Sequence, residues 1–423
     1  MSAQPAPQAR EVIVNAAERD AVSTPRVPAV WILALPWLTW GMIGGFVIVT
    51  LPQMLVAQGI PGDRAAISIG IIISPLIWNF VLAPLLDVRF RRRTYALVFA
   101  GLAVIATAVT VIQHAVLVEV EAVMLVAFFS LCMFQSAIGG WIGSLIEQGH
   151  DGRLGAWCAI FGSGGNGVGI LISGYAVQHF SSMAGASVIS VAFLSPLLVF
   201  PLIPAPPPAR MLAVENFSRF AREVALLLKR RAVLLALVMF ALPSASFALT
   251  NALGAWSESF HATASVVSLI SGVGIMLGSI AGCALVPPMA RKIPLRLLYL
   301  SIGLLGAAFT LGLLLLPRLS ATFALAFLGE NFFQSAALAA ALAIMFEVIG
   351  RGNPLAATTF ALLMAALTVP IDYMQFVDAR AYHWHGITSA FLTDALLGGA
   401  ACLLLALVLR RRLLPAAARA EPV

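Results

Sequence analysis

The sequence predicts an all-α membrane protein with twelve transmembrane helices in two six-helix bundles. Its composition is 61% hydrophobic and only 10% charged, which excludes an ordinary soluble domain. About twelve mostly apolar stretches of 18 to 30 residues are present, and each can cross about 30 Å of hydrocarbon as a helix. All 25 lysines and arginines fall outside these stretches.

The elements follow in order along the chain. Residues 1–28 are polar and lack the hydrophobic region and cleavage site of a signal peptide, so we expect a tail that is not removed. The first bundle is predicted at 29–204, and the second at 232–410 after a hydrophilic linker at 205–231. Residues 411–423 form a second tail. The spans are predicted to start at 29, 64, 94, 118, 154, 183, 232, 264, 293, 319, 354 and 386.

The distribution of basic residues predicts the orientation. With both termini in the cytoplasm, 22 lysines and arginines fall in cytoplasmic segments, and only Arg64, Arg318 and Arg380 fall outside. This asymmetry is typical of a multi-pass protein of the cell inner membrane. The net charge of +7 is therefore explained by topology, and we expect no nucleic-acid partner.

An internal repeat indicates a duplicated architecture. Phe134-Gln135-Ser136-Ala137 recurs 199 residues later as Phe333-Gln334-Ser335-Ala336. Two further matches follow in the same order: Glu147 with Glu347, and Gly152-Arg153 with Gly350-Arg351. Two parallel six-helix halves describe the major facilitator architecture, whose binding site lies near the midplane between the halves. We expect a monomer.

Short motifs resemble the AmpG-like transporters, a group with muropeptide permeases, acetyl-CoA transporters and a siderophore-importing branch. Ala83-Pro84-Leu85-Leu86-Asp87, followed by Arg91-Arg92-Arg93, resembles the signature after span 2 of this group. The resemblance continues in Glu330-Asn331 and in residues 357–363. Two aspartates typical of span 4 are missing from residues 135–140, and muropeptide permeases tend to have two more helices. Both departures weaken a muropeptide assignment, and the twelve-span length resembles the siderophore-importing branch.

The resemblance implies a gating contact at the cytoplasmic ends of the helices. Asp87 would pair with a nearby arginine and face the N-terminus of a helix in the opposite half, where an anion is favoured. The alternative is a solvated interfacial acid. The candidate gating residues are Asp87, Arg91, Arg92, Glu147, Arg153, Glu347 and Arg351.

Acidic residues inside apolar spans are candidates for proton coupling or substrate binding, because an ionisable group in hydrocarbon needs a cavity or a partner. Glu330 lies 12 residues from Arg318, about 18 Å along a helix. The spacing predicts that Asn331 and Gln334 share its face. Asp394 is the second candidate, whereas Asp372 is expected at the outer rim. Alternatively, Glu330 only ties span 10 to a neighbouring helix.

Four further polar or aromatic side chains are candidates for the cavity wall. Trp37 and Trp40 could stack on a ring-bearing substrate, or could form a packing stripe. Gln135 lies in the repeated motif of span 4. Asn166 lies in a glycine-rich stretch that we interpret as a packing surface, since no strand precedes it as a nucleotide site requires.

A secondary active transporter is the predicted class. An intramembrane enzyme would need a catalytic set such as H-E-x-x-H, which the sequence lacks, and a sensor would need a soluble output domain. The sequence predicts no metal site and no cofactor; the expected partners are a small-molecule substrate, protons and the lipid bilayer. We expect proton-coupled import of a small organic molecule such as a siderophore or metal chelate. The alternatives are a muropeptide permease and a drug or metabolite exporter.

Overall fold

The computed structural model describes residues 28–413, except 89, 114–115, 148, 206–224, 254–255, 264–266, 268–269 and 271–273. Helices account for the ordered elements, and the described residues contain no strand. The predicted tails and most of the predicted linker lie outside the described part of the chain. The predicted limits of the two bundles therefore stay predictions.

Six membrane-crossing segments come from the N-terminal half. They are α1 (Val30–Ala57), α2 (Gly62–Ile73, continued by short turns to Asp87), α3 (Arg92–Ile112), α4 (Leu117–Gly143), α5 (Asp151–His179) and α6 (Ser182–Leu202). Because their exposed residues are largely apolar, with Leu171 and Leu198 more than 70% exposed, these helices present a surface suited to lipid.

Six more segments come from the C-terminal half. They are α7 (Arg231–Ala241, resumed at Leu249–Ala252), α8 (Ile275–Ala290), α9 (Leu295–Leu313), α10 (Ser320–Ile349), and α11 and α12, which share Ala356–Leu413. His385 and Gly386 have non-helical angles and separate α11 from α12. Eight described helices are long and apolar enough to cross a membrane, with α11 and α12 counted as one, and α2, α7 and α8 contain shorter apolar helices. The all-helical architecture confirms the predicted fold class.

The loops define two ends of the molecule. We call the end that carries Arg92, Arg153, Lys292 and Arg351 the basic face, and the end that carries Arg64, Arg318 and Arg380 the opposite face. Consecutive helices turn alternately at these two ends. The predicted division of lysines and arginines between cytoplasmic and outer loops requires this alternation.

The seventh crossing is interrupted in the middle of the membrane. After Ala241 the chain leaves the helix at Leu242-Pro243 and resumes it at Leu249. Proline has no amide hydrogen and cannot continue the helical hydrogen-bond pattern, and Phe247 has a positive φ of 48°. Irregular backbone is tolerated in a membrane where it lines a cavity, so the break marks a site between helices.

Glycines permit close contacts between helices within each half. A Cβ at Gly165 of α5 would lie 2.7 Å from the Leu38 carbonyl oxygen of α1, and Gly169 meets Met42 of the same helix. In the C-terminal half, Gly278 and Gly282 of α8 lie against the backbone of α10. The glycine-rich stretch is therefore a packing surface within a half, as the sequence predicts.

Contacts between the two halves are close near the basic face. Gly140 of α4 lies against Ala357 of α11, and the Phe360 ring covers Gly139. A Cβ at Gly155 of α5 would be 2.5 Å from the Ala339 carbonyl oxygen of α10. These glycine contacts bring the backbones of the two halves together at this end of the molecule.

Candidate functional site

Asp87 joins the two halves at the basic face. Its carboxylate accepts hydrogen bonds from the backbone N–H groups of Ala357 (3.2 Å) and Thr358 (2.8 Å) and from the Thr358 hydroxyl (2.7 Å). Ala356 begins α11, so an acid from the N-terminal half caps the first turn of a helix in the C-terminal half. An anion at a helix N-terminus is stabilised by the unpaired N–H groups and the helix dipole.

Arg92 holds Asp87 in this position. Its Nε donates to Asp87 Oδ1 at 2.8 Å, and its Nη2 donates to the carbonyl oxygens of Asn353 and Pro354 across the contact. Arg351 makes a second connection, donating to the Glu147 carboxylate at 2.9 Å and to the Ile146 carbonyl oxygen at 3.1 Å. The Glu147 pair is more than half exposed, so it contributes less than the buried Asp87 contact.

The remaining gating candidates lie elsewhere. Arg91 precedes α3 and is exposed, and Arg153 is exposed in the first turn of α5. Glu347 pairs with Arg296 at 2.8 Å, within the C-terminal half. The structure thus brings Asp87, Arg92, Glu147 and Arg351 together between the halves, and it does not bring the other three there.

Three buried carboxyl groups lie inside the C-terminal half. Glu330 of α10 and Asp378 of α11 are completely buried, and Asp394 of α12 is 9% exposed. Asp394 and Thr310, whose hydroxyl contacts Glu330, line one cavity, and neither oxygen of the Asp378 carboxyl group has a hydrogen-bond partner among the described residues. We call Glu330, Asp378 and Asp394 the carboxyl cluster. Glu330 lies ten residues from the start of α10, which is about 15 Å from the opposite face.

The hydrogen-bond geometry at Glu330 favours a protonated carboxyl group. Thr310 Oγ1 lies 2.5 Å from Glu330 Oε1 and 3.1 Å from the Gly306 carbonyl oxygen, and one hydroxyl proton cannot make a strong bond to both acceptors. Both contacts are satisfied when Glu330 is protonated and donates to Thr310.

A small cavity connects the cluster to the broken helix. It is lined by residues 243–247 of the break in α7, by Gly303, Ala307 and Thr310 of α9, and by Asp394 and Gly398 of α12. Thr310 links this cavity to Glu330. The cavity therefore joins the irregular backbone of α7 to Asp394 and, through Thr310, to Glu330.

The prediction that Glu330, Asn331 and Gln334 share one face is wrong for Asn331. The Asn331 amide donates to the Phe327 carbonyl oxygen of its own helix at 2.8 Å, and its Cβ lies near Gly278 of α8. One residue along a helix turns the side chain by about 100°, so neighbours point to different helices. Gln334 instead donates to Thr250 Oγ1 of α7 at 2.8 Å.

Three predicted cavity residues of the N-terminal half have hydrogen-bond donors without a partner. The indole Nε1 atoms of Trp37 and Trp40 and the Gln135 Nε2 atom are buried and find no acceptor among the described residues. Leaving a buried donor unpaired costs roughly 1–3 kcal/mol. Packing alone does not explain these groups, because an apolar ring or chain would pack without that cost.

Asn166 lies at the α1–α5 contact. Its backbone lies against Gly41 and Gly45, and its side-chain oxygen lies against Gly44. The amide oxygen is buried and has no donor among the described residues. This position fits the packing surface better than the wall of a cavity between the halves.

Sequence reasoning missed Asp378 and Thr310. Asp378 lies seven residues before the break at His385. Its position inside α11 could not be predicted, because the sequence does not show where α11 ends. Arg380, two residues further, suggested an outer loop. In the structure, the helix that begins at Ala356 continues past Asp378 as far as the break at His385. Asp378 therefore lies inside the helix and not in a loop.

The fold was compared with known proteins. No protein-family model matches the sequence, and neither does any curated protein. Solved structures do match: the human organic anion transporter MFSD10 (TETRAN) has a TM-score of 0.65 at 18% identity, covering 89% of this chain and 98% of that one. The chain has the major facilitator fold. At this identity the similarity establishes the fold alone.

Two proton symporters share the same architecture. The proton:xylose symporter XylE, bound to 6-bromo-6-deoxy-D-glucose, has a TM-score of 0.63 at 15% identity, covering 91% of this chain and 96% of that one. The E. coli fucose:proton symporter FucP has a TM-score of 0.62 at 15% identity, covering 90% and 98%. The coverage shows that the similarity extends over both halves of the molecule.

Proposed function

We propose that this protein is a secondary active transporter of the cell inner membrane that couples import of a small organic molecule to protons. The carboxyl cluster carries the proposal. It places three buried acids, with no basic side chain among their described contacts, in one half of the molecule, and Asp394 lines a cavity at the broken helix. Groups of this kind inside a membrane are expensive to bury and are typical of ion and proton pathways.

The proposed cycle alternates access between the two faces. In this structure the glycine contacts and the Asp87 contact close the basic face, so we assign it to a state that is open toward the opposite face. We place the basic face in the cytoplasm because of its lysines and arginines. Protonation of the cluster from the opposite face would accompany substrate binding, and release of the Asp87 contact would open the basic face.

A siderophore or metal chelate is the proposed substrate, with a muropeptide as the alternative. The motif resemblance supports this group of substrates, the two missing aspartates in span 4 weaken the muropeptide assignment, and the predicted twelve-span length favours the chelate. The acids of the C-terminal half, with no arginine among their described contacts, disfavour a strongly anionic molecule. The structural comparisons establish none of these substrates.

The test uses the purified protein in proteoliposomes loaded with a pH-sensitive dye. A labelled ferric trihydroxamate chelate and a labelled muropeptide are supplied outside, under a proton gradient directed inward. We expect uptake of one of them, with simultaneous acidification of the interior. Uptake that persists at the same rate after a protonophore is added would exclude proton coupling.

Three variants test the carboxyl cluster. Glu330→Gln, Asp378→Asn and Asp394→Asn should each lower gradient-driven uptake at least tenfold while retaining substrate exchange, because exchange requires no net proton movement. Glu119→Gln is the matched control, since Glu119 is exposed in the first turn of α4 and its variant should transport normally. Normal gradient-driven uptake in all three cluster variants would remove the mechanism.

A further inference from the structure

The unpaired donors of the N-terminal half form one group. The Trp37 and Trp40 rings are 6.2 Å apart, and the Trp37 ring meets the Phe360 ring of α11 edge-on at 5.8 Å. Phe360 covers Gly139, which lies one helical turn from Gln135 on the same face of α4. The three donors therefore lie around one place, where α1, α4 and α11 converge.

The internal repeat shows that Gln135 differs from its counterpart. Gln334 occupies the same place in the second copy of the motif and donates to Thr250 Oγ1 of α7. The Gln135 Nε2 atom has no such partner among the described residues. The Gln135 amide, 3% exposed, is therefore left for another partner.

The chemistry of the group defines what it can bind. All three unpaired groups are neutral N–H donors, and aromatic rings lie beside them. Residues 30–57, 122–146 and 154–178, which form the surrounding parts of α1, α4 and α5, contain no charged side chain. Such a site pairs with uncharged acceptor oxygens and stacks on a ring, whereas an ionised group would lose its hydration without a counter-charge.

We propose that Trp37, Trp40 and Gln135 form a binding subsite for an uncharged ring that carries several hydroxyl or carbonyl oxygens. The subsite rests on the proposed transport function and names the chemistry of its substrate. In this structure the donors are covered, and loosening of the contact between Trp37 and Phe360 exposes them to the ligand. The indole and amide N–H groups then donate to the ligand oxygens.

The subsite and the carboxyl cluster lie at different depths. Gln135 is eight residues from the end of α4 at the basic face, and Glu330 is 19 residues from the corresponding end of α10. At helical rise these are about 12 Å and about 28 Å. The uncharged ring and the coupling protons therefore occupy separate sites, one in each half of the molecule.

Equilibrium dialysis with nitrophenyl probes tests the subsite. The full-length protein is placed in lipid nanodiscs, which avoids sugar detergents, and bound probe is measured by absorbance. The neutral probes are 4-nitrophenyl β-D-glucoside and 4-nitrophenyl N-acetyl-β-D-glucosaminide. The comparison probes are 4-nitrophenyl β-D-glucuronide, which adds a carboxylate, and 4-nitrophenyl cyclohexyl ether, which lacks the hydroxyl groups. We expect at least one neutral probe to bind saturably, with a Kd at least tenfold lower than either comparison probe.

Variants separate hydrogen bonding from stacking. Trp37→Phe and Trp40→Phe keep an aromatic six-membered ring and remove the N–H donor together with the pyrrole ring, and Gln135→Leu removes the donor at a similar volume with no change in any ring. Each should raise the Kd of the neutral probe at least fivefold and leave the weak binding of the cyclohexyl ether unchanged. Gln113→Leu, at an exposed glutamine after α3, is the control and should have no effect.

Two outcomes would overturn the subsite: no saturable binding of either neutral probe, or equal loss of all probes in the variants. Melting curves of the nanodisc samples identify a variant that fails to fold. If Gln135→Leu fails to fold, the two tryptophan variants still test the subsite. Binding at equilibrium requires no gradient. Failure of this test is therefore distinguishable from failure of proton coupling, which the carboxyl variants report.

Discussion

At the scale of single residues, the structure separates neighbours that the sequence could not. Arg91, Arg92 and Arg93 are identical in type and adjacent, and the resemblance implied only that some arginine would pair with Asp87. The start of α3 at Arg92 decides which one. Its side chain alone is shown to span from Asp87 to the carbonyl oxygens of Asn353 and Pro354.

Replacing Arg92 should open the basic face, whereas replacing Arg91 should not. Arg92→Gln removes the charge beside the buried Asp87, so the contact with α11 weakens, whereas exposed Arg91 makes no such contact with any described residue. Cysteines at positions 147 and 351, joined by a short bismaleimide, report closure. We expect the cross-linked fraction to fall at least twofold in Arg92→Gln and to be unchanged in Arg91→Gln. Equal yields in both variants would contradict an Arg92-dependent closure.

The sequence predicted those functional residues that can be recognised from their immediate neighbours in the chain. Asp87 was found because its motif continues into a basic turn, and Glu330 because it interrupts an apolar stretch. Asp378 was not found, because its burial depends on the position of the break between α11 and α12. The failure for Asn331 has the same origin, since neighbouring residues on one helix face different partners, which only packing reveals.

At the scale of helices, glycines divide into those that join the halves and those that join helices within a half. Gly140 meets the backbone of α11 across the halves, whereas Gly165 meets α1 within the N-terminal half. Gly167 has open space where a Cβ would be. Substitution of a glycine is therefore expected to affect the contact between the halves, the packing within one half, or neither, depending on its position.

Alanine substitutions should separate these classes. Gly165→Ala puts a methyl group into the α1–α5 contact, and overpacking of this kind costs about 1–3 kcal/mol, so the melting temperature should fall. Gly140→Ala should weaken closure of the basic face, lowering the 147–351 cross-link yield with a smaller change in melting temperature. Gly167→Ala is the control and should change neither. A normal cross-link yield in Gly140→Ala would show that this contact does not govern closure.

At the scale of the whole molecule, the two halves are related by a repeat but are not equivalent. Asp87 of the N-terminal half meets the first turn of α11, whereas Ala290 occupies the corresponding place after α8 and meets Gly152 in the first turn of α5. One seam at the basic face is thus held by charge and the other by apolar contact. Buried functional groups are divided as unevenly, with the three N–H donors of Trp37, Trp40 and Gln135 in one half and the carboxyl cluster in the other.

The orientation of the molecule can be tested with single cysteines. The native cysteines are all buried, so they should react little. A membrane-impermeant maleimide applied to spheroplasts should label Gln113→Cys and Phe180→Cys at the opposite face, and should label Lys292→Cys at the basic face only after permeabilisation. This expectation follows from the excess of lysine and arginine on the cytoplasmic side of membrane proteins. Labelling of Lys292→Cys in intact spheroplasts would reverse the assignment.

The break in α7 has a consequence for how deeply solvent reaches into the protein. Amide hydrogens of a continuous transmembrane helix are held by carbonyl groups one turn away and exchange slowly with deuterium. Between Leu242 and Ala248 that pattern is lost, and the cavity beside it offers a place for water. We therefore expect the amide hydrogens of residues 242–248 to exchange rapidly with deuterium, whereas those of the preceding helix Arg231–Ala241 should exchange slowly.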